Sequence, residues 1–315
     1  MANAPRATTI ETVSSLDGVA ELVRVRGAAH RDQPASLLLE ISPGATRAEH
    51  YDELRSRLRG RYPPDLRDFF FVNTDVGAPE LALLSAERYV ASAPSSAALV
   101  LRCLVPRTFV DCNRIIDLDA LPRPSAAGEL TPGLHAYVQD EHDRRLVLDR
   151  YRAWRELSER CFDLVCGGGG LALQVHSYAP RSIDVPVDEQ IVTRLRAEYE
   201  PERLAGWPLR PEVDLIALAR DGERLAGAAI LANCTQRFRE AGYEVTHATT
   251  YHLHEVTLAH AMARRHRERT LCLELRRDLL ARSFTPFAEM EIAPEKIERA
   301  AGALAAAALD ASAAG

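Results

Sequence analysis

Several features are missing from this 315-residue chain, and each absence closes off a class of protein. No apolar run approaches the ~18 residues that a membrane-spanning helix needs, so no membrane partner is expected. The opening stretch, MANAPRATTIETVSS, carries no apolar segment of the kind found in a secretory signal. Six cysteines are present (Cys103, Cys112, Cys161, Cys166, Cys234 and Cys272), but none forms a Cys-x-x-Cys pair. Cys103, Cys234 and Cys272 lie inside apolar runs, where cysteine behaves as a small buried hydrophobe. That usage fits a reducing, cytoplasmic setting. Basic tracts are also missing. The net charge is −6, and Arg264-Arg265 and Arg276-Arg277 sit among acids or beside an apolar strand. They read as solvated faces, and no nucleic-acid partner is expected. No Gly-x-Ser-x-Gly elbow is present, which argues against a serine nucleophile. The glycine run at 167–170 precedes an apolar strand, whereas a phosphate-binding loop follows one and carries Gly-Lys-Ser/Thr. No internal repeat is found.

What is present is the mix of an ordinary globular protein, 47% apolar and 27% charged residues. A chain of this length buries a large core without disulfides or metals. Short apolar runs alternate with helical patterns. The strands expected are 36–41, 69–73, 98–103, 171–175, 213–218, 244–247 and 270–275. Several are continuously apolar, as strands covered on both faces are. Thr46 and Glu49 fit a capping box that opens a helix running to about residue 58. Pro79 suits the first turn of a helix over 80–91. Residues 143–165 read as a long amphipathic helix ending at the glycine run. Further helices are expected at 187–199, 223–241, 253–265 and 294–309. This alternation predicts an α/β fold, a three-layer αβα sandwich with a central, mainly parallel (mixed) sheet. Residues 1–30 read as a partly ordered N-terminal extension, 31–310 as one domain, and 311–315 as a tail. The Pro/Ala/Gly-rich stretch 118–133 reads as a loop or lid.

Ligands of open α/β sheets sit outside the carboxyl ends of the strands. The polar residues expected there are Asp75, Arg107, Asp111, Asn113, Arg114, His176 and Glu274. His176 directly follows an apolar strand. It reads either as a rim histidine satisfied by one hydrogen bond or as a metal ligand through one ring nitrogen. Glu274 lies inside Leu-Cys-Leu-Glu-Leu, where a carboxylate is costly to bury unless paired or neutral. It reads as a general base of raised pKa, as a partner of Arg276, or as an outward-facing residue. Arg107 and Arg114 offer guanidinium forks to a substrate carboxylate, with Asp111 positioning one of them or merely stiffening the loop. Asp75 reads as a metal ligand or as the N-cap of the helix containing Pro79. His252 and His254 alternate and read as an anion- or metal-binding pair or as an exposed one.

These segments, in this order, resemble the N-formylglutamate amidohydrolase family. Asn73-Thr74-Asp75 looks like the family's Thr-Asp element. The segment Arg107-Thr108-Phe109-Val110-Asp111-Cys112-Asn113-Arg114 is similar to its Arg-Tyr-Val-hydrophobic-Asp-x-Asn-Arg element. Gln174-Val175-His176-Ser177 resembles Asp-Cys-His-Ser, and Leu273-Glu274-Leu275 the strand that brings in a catalytic glutamate. The resemblance spans residues 36–278. It implies a fold related to the zinc carboxypeptidases and hydrolysis of an amide beside an amino-acid carboxylate. Asp75 and His176 would be zinc ligands and Glu274 the base acting on metal-bound water. Arg107, Arg114, Asn113 and His254 would contact a small carboxylated substrate. One departure stands out: the turn that carries the family's first metal-ligating histidine reads Glu40-Ile41-Ser42-Pro43-Gly44. The third ligand would then fall to Glu40, His252 or His254. A non-catalytic carboxylate-binding protein of the same fold is the alternative, and a peptidase on this scaffold a third reading.

Overall fold

A computed structural model describes residues 8–118, 122 and 125–313. The expectations for residues 1–7, for 119–121 and 123–124 of the loop 118–133, and for the last two residues of the tail lie outside it. One eight-stranded sheet organises the chain, in the order β1-β2-β4-β3-β5-β8-β6-β7. Its strands are β1 (Thr9–Leu16), β2 (Ala20–Arg26), β3 (Leu37–Ile41), β4 (Ala97–Cys103), β5 (Leu171–Tyr178), β6 (Val213–Ile216), β7 (Val245–His247) and β8 (Thr270–Arg276). The central strands β4, β3, β5 and β8 are parallel, and β6 joins β8 antiparallel. The sheet is therefore mixed, with a parallel centre. The continuous apolar runs follow from this, because helices cover both faces.

Alternation along each strand sorts the side chains into two layers. Leu37, Leu39, Leu173, Val175, Leu271 and Leu273 face a layer made by α3 (Ala78–Ser92), α7 (Ala228–Glu240) and α9 (Pro294–Ala313). The alanines of α9 are buried in that layer. The opposite face carries α4 (Glu141–Gly167), whose Tyr151, Trp154 and Phe162 are buried with Leu38 and Ala172. On this second face also lie α1 (Ala48–Arg57), α2 (Leu66–Asn73), α5 (Ile191–Glu198) and α8 (Leu258–Arg265), and the short α6 (Pro201–Gly206) follows α5. Among the described residues, no helix is long and apolar enough to cross a membrane.

Four local expectations are corrected. Residues 69–73 are not a strand but the end of α2. A short aromatic run does not separate the two periodicities, and here Leu66, Phe69 and Phe70 take helical spacing behind Pro63-Pro64. The N-cap of α1 is Arg47, not Thr46. His50 Nδ1 accepts the Arg47 N–H at 3.1 Å, while Thr46 receives a hydrogen bond from Arg102. The helices expected from 187, 223 and 253 begin later, at Ile191, Ala228 and Leu258. For α8 the cause is the cap, because the Thr257 side chain accepts the His260 N–H. Finally, β1 and β2 form a hairpin that sequence reading did not name. It is added antiparallel to β4. Gly18 turns it with φ +62°, directly under the Arg150 guanidinium.

Candidate active site

The parallel strands β3, β5 and β8 end at one rim of the sheet, and the polar residues expected there meet at it. His176 lies near the end of β5, and the register pairs it with Glu274 of β8. Glu274 is paired in turn with Asp214 of β6. Alternation turns Gln174, His176, Cys272 and Glu274 away from the α3/α9 layer, into the face that carries α4. Asp75 reaches the same place from the turn after α2. Its Oδ2 lies 2.9 Å from His176 Nδ1, and its Oδ1 3.9 Å from the Arg277 guanidinium. Gly77, not Asp75, caps α3, so Asp75 is left for the site.

Burial works against a charged His176. The Asp75 carboxylate, hydrogen-bonded to Nδ1, opposes this and raises the imidazole pKa above its usual value. Cys272 is itself held neutral, because burial raises its thiol pKa. Asp75 is therefore the group that keeps the second proton on the ring. The remaining nitrogen, Nε2, is buried with no hydrogen-bond partner in the protein. Burial also raises the Glu274 carboxyl to about 7, against the pull of His176. Its Oε2 has no partner. The pairing with Arg276 does not form, because Arg276 turns to Asp278 at 3.0 Å.

Arg107 and Arg114 share one counterion. Asp111 Oδ2 lies 2.9 Å from Arg107 and 3.3 Å from Arg114. Burial pushes the Asp111 carboxyl up, but the two guanidiniums prevail and bring it to about 2. Asn113 is partly committed elsewhere: its Oδ1 accepts the Ala259 N–H at 3.1 Å and helps hold the start of α8. His254 Nε2 lies 2.9 Å from Arg220, and His252 is exposed at the rim. Asp75, Arg107, Asn113, Arg114, His176, His254 and Glu274 all line a single cavity of about 580 Å³.

Three further residues belong to this region. Arg210, between Pro208 and Pro211, has its guanidinium 5.1 Å from the Tyr178 ring and 5.5 Å from the Tyr251 ring. It lies in no motif, and no sequence signal pointed to it. Arg277 was read with Arg276 as a solvated face, but it is 4% exposed and donates to the Ser177 carbonyl behind His176. Glu40 lies beside Gln174 in the register, 1% exposed, with neither carboxylate oxygen bonded.

A catalytic zinc normally takes three protein ligands. Among the described residues, no group of three His, Cys, Asp or Glu side chains is placed to hold a metal ion. Asp75 and His176 are instead hydrogen-bonded to one another. The residue after Ser42-Pro43 is Gly44. A side chain there would meet Arg102 Cγ at 2.7 Å. The donors present do not fit a three-ligand zinc site.

The fold and cleft define an α/β sandwich with a histidine–carboxylate pair and a base-like glutamate at the carboxyl ends of parallel strands. No family model matches the chain, and no curated protein matches it. Solved structures do. N-formylglutamate amidohydrolase from Ralstonia eutropha JMP134 matches with a TM-score of 0.55 at 17% identity, covering 94% of this chain and 98% of that one. A gene product from Agrobacterium tumefaciens matches with a TM-score of 0.50 at 15% identity, covering 94% and 95%. At such identities the likeness establishes a shared fold, the one the sequence motifs implied.

Proposed function

We propose that the protein is a hydrolase of a linear amide whose nitrogen belongs to an amino acid with a free carboxylate. The observation that carries this reading is the adjacency of Glu274 and His176 on neighbouring strands, both with an unpartnered atom in one cavity. The amidohydrolase activity of the Ralstonia structure, which shares the fold, supports it. With a pKa of about 7, Glu274 is poised to take a proton from water near neutral pH. The water oxygen adds to the amide carbon. His176, held protonated by Asp75, faces the developing oxyanion as a donor. The carbon–nitrogen bond breaks, the amine takes the proton back from Glu274, and a carboxylic acid and a free amine leave. Arg107 and Arg114 hold the substrate carboxylate, and Asn113 and His254 border it.

The test is release of free amine from N-formylglutamate and other N-acyl amino acids, with elemental analysis of protein purified without chelator. Glu274→Gln is expected to lose about 10²–10⁴-fold in rate. Full activity in that variant would remove Glu274 as the base. Stoichiometric zinc that His176→Ala releases would restore the metal-dependent mechanism the resemblance implied. The incomplete ligand set favours one rival, a protein that binds a small carboxylate without turnover. That rival is supported by no amine release together with a raised Tm in carboxylated amino acids.

A further inference from the structure

Asp75 and His176 are 101 positions apart in the chain, yet their side chains are hydrogen-bonded at 2.9 Å. The exit of α2 must therefore be held against the end of β5. Two further ties do this. The Ser177 hydroxyl donates to the Val76 carbonyl at 2.8 Å, joining the residues that follow the two partners. Arg277 supplies the other tie. One terminal nitrogen of its guanidinium donates to the Val72 carbonyl in the last turn of α2, and the other to the Ser177 carbonyl at 3.3 Å. That second nitrogen also faces Asp75 Oδ1 at 3.9 Å. A single planar group thus touches both segments and the carboxylate between them.

The chemistry suits a brace rather than simple filling. A guanidinium keeps its charge in a protein, and burying one is costly unless it is paired and hydrogen-bonded. Arg277 is 4% exposed, where a hydrocarbon side chain would satisfy packing alone. The Val72 carbonyl is among the last four of its helix, which find no partner inside the helix. A cation at that end is also favoured by the helix dipole. With Oδ2 on His176 and Oδ1 facing the guanidinium, the Asp75 carboxylate is oriented from both sides, as outer partners orient a working imidazole. The segment carrying Arg277 is anchored in turn. Lys296 of α9 donates to the Asp278 and Ala281 carbonyls at 2.7 and 2.8 Å. A side chain at Gly77 would meet Leu280 Cβ at 2.5 Å, so the turn after Asp75 lies directly against the turn after Arg277. Arg277 also borders the cavity, and its Nε is buried without a partner. Holding substrate is therefore the competing account, but both terminal nitrogens are turned to protein acceptors.

We infer that Arg277 is a positioning residue, which sets the Asp75–His176 pair by bracing the end of α2 against the end of β5. Its effect on turnover rests on the hydrolase reading of the same site. The experiment compares the parent with Arg277→Met and Arg277→Lys, with N-formylglutamate as substrate and circular dichroism to establish folding. In folded Arg277→Met, kcat is expected to fall about 10–100-fold while KM stays within about twofold. Arg277→Lys keeps the charge and loses the planar fork, and about a tenfold fall is expected. Proton NMR of protein carrying isotope-labelled histidine reads the pair itself. The proton shared by His176 Nδ1 and Asp75 should give a slowly exchanging, downfield resonance, identified by its loss in His176→Gln. Folded Arg277→Met is expected to lose that resonance. A parental kcat in folded Arg277→Met, or in Arg277→Lys where the first variant does not fold, overturns the inference. A raised KM at unchanged kcat overturns it by making Arg277 a substrate-holding group. A resonance that persists in the variant, or is absent from the parent, overturns it as well. Where the parent releases amine from no N-acyl amino acid, the hydrolase reading fails by itself and the brace is judged by the resonance alone.

Discussion

Replacing Glu40 with glutamine removes a proton-binding group from the interior of the sheet while keeping its shape. Glu40 is 1% exposed, stands beside Gln174, and has no partner on either oxygen. Burial raises its carboxyl from 4.5 to about 7, only partly countered by the charge of His176. The direction fixes the sign. The folded chain holds this proton more tightly than the unfolded one. The stabilisation is therefore complete below pH 4.5, declines as pH rises, and is gone above about 7. At about 1.4 kcal/mol per pH unit, the gap of 2.5 is worth about 3 kcal/mol. Urea unfolding of the parent and of Glu40→Gln at pH 5 and pH 8 reads it directly. The parent should lose about 2.5 kcal/mol relative to the variant between those values, the rest of the gap having gone by pH 5. Stability curves that stay parallel across the two pH values would show that Glu40 is solvated or paired, and the reasoning would fail.

The remaining predictions address the two buried ion pairs and the base. Asp111→Asn leaves Arg107 and Arg114 without their counterion and is expected to cost about 3–5 kcal/mol by denaturant unfolding. In the parent, the same carboxylate stabilises the fold above its unfolded value of 3.8, and that contribution is lost as pH falls toward 2, visible as a steepened acid transition. Arg150 is 5% exposed, grips Glu53 through both terminal nitrogens, and donates to the Gly18 carbonyl at 3.0 Å. Arg150→Ala should cost about 2–3 kcal/mol and speed amide exchange in β1 and β2 before the rest of the sheet. For amide hydrolysis, kcat/KM should rise with pH through about 7 as Glu274 ionises. A rate that is flat from pH 5 to 8 would refute its role as base.

The central part of this architecture was legible because its physics is local. Strands β3, β5 and β8 are short, mostly apolar runs that turn polar toward their carboxyl ends, and both the sheet and the site at its rim follow from them. The Asp111, Asn113 and Arg114 cluster was legible for a related reason, since its residues lie within eight positions of Arg107. What was missed depends on partners distant in sequence. Residues 69–72 are apolar at every position, so only packing decides between strand and helix. The strand β1 has mostly exposed side chains and no buried alternation, and it exists because β2 pairs with it. Arg277 reads as a surface residue until Val72 and Ser177 supply carbonyls for its guanidinium. Arg210 becomes part of the cleft only through Tyr178, 32 residues before it, and Tyr251, 41 residues after.

The turn at Gly44 has a consequence for any attempt to engineer this scaffold. Arg102 crosses the space above it, with Nε bonded to the Gly44 carbonyl at 2.8 Å and its terminal nitrogen to Thr46 at 3.2 Å. A histidine introduced at 44 alone would collide with that side chain before its imidazole could approach Asp75 and His176. A side chain at 44 would also meet the Cys103 carbonyl oxygen at 2.9 Å, so shortening residue 102 does not by itself open the turn to a third donor, and the backbone of the turn has to move as well.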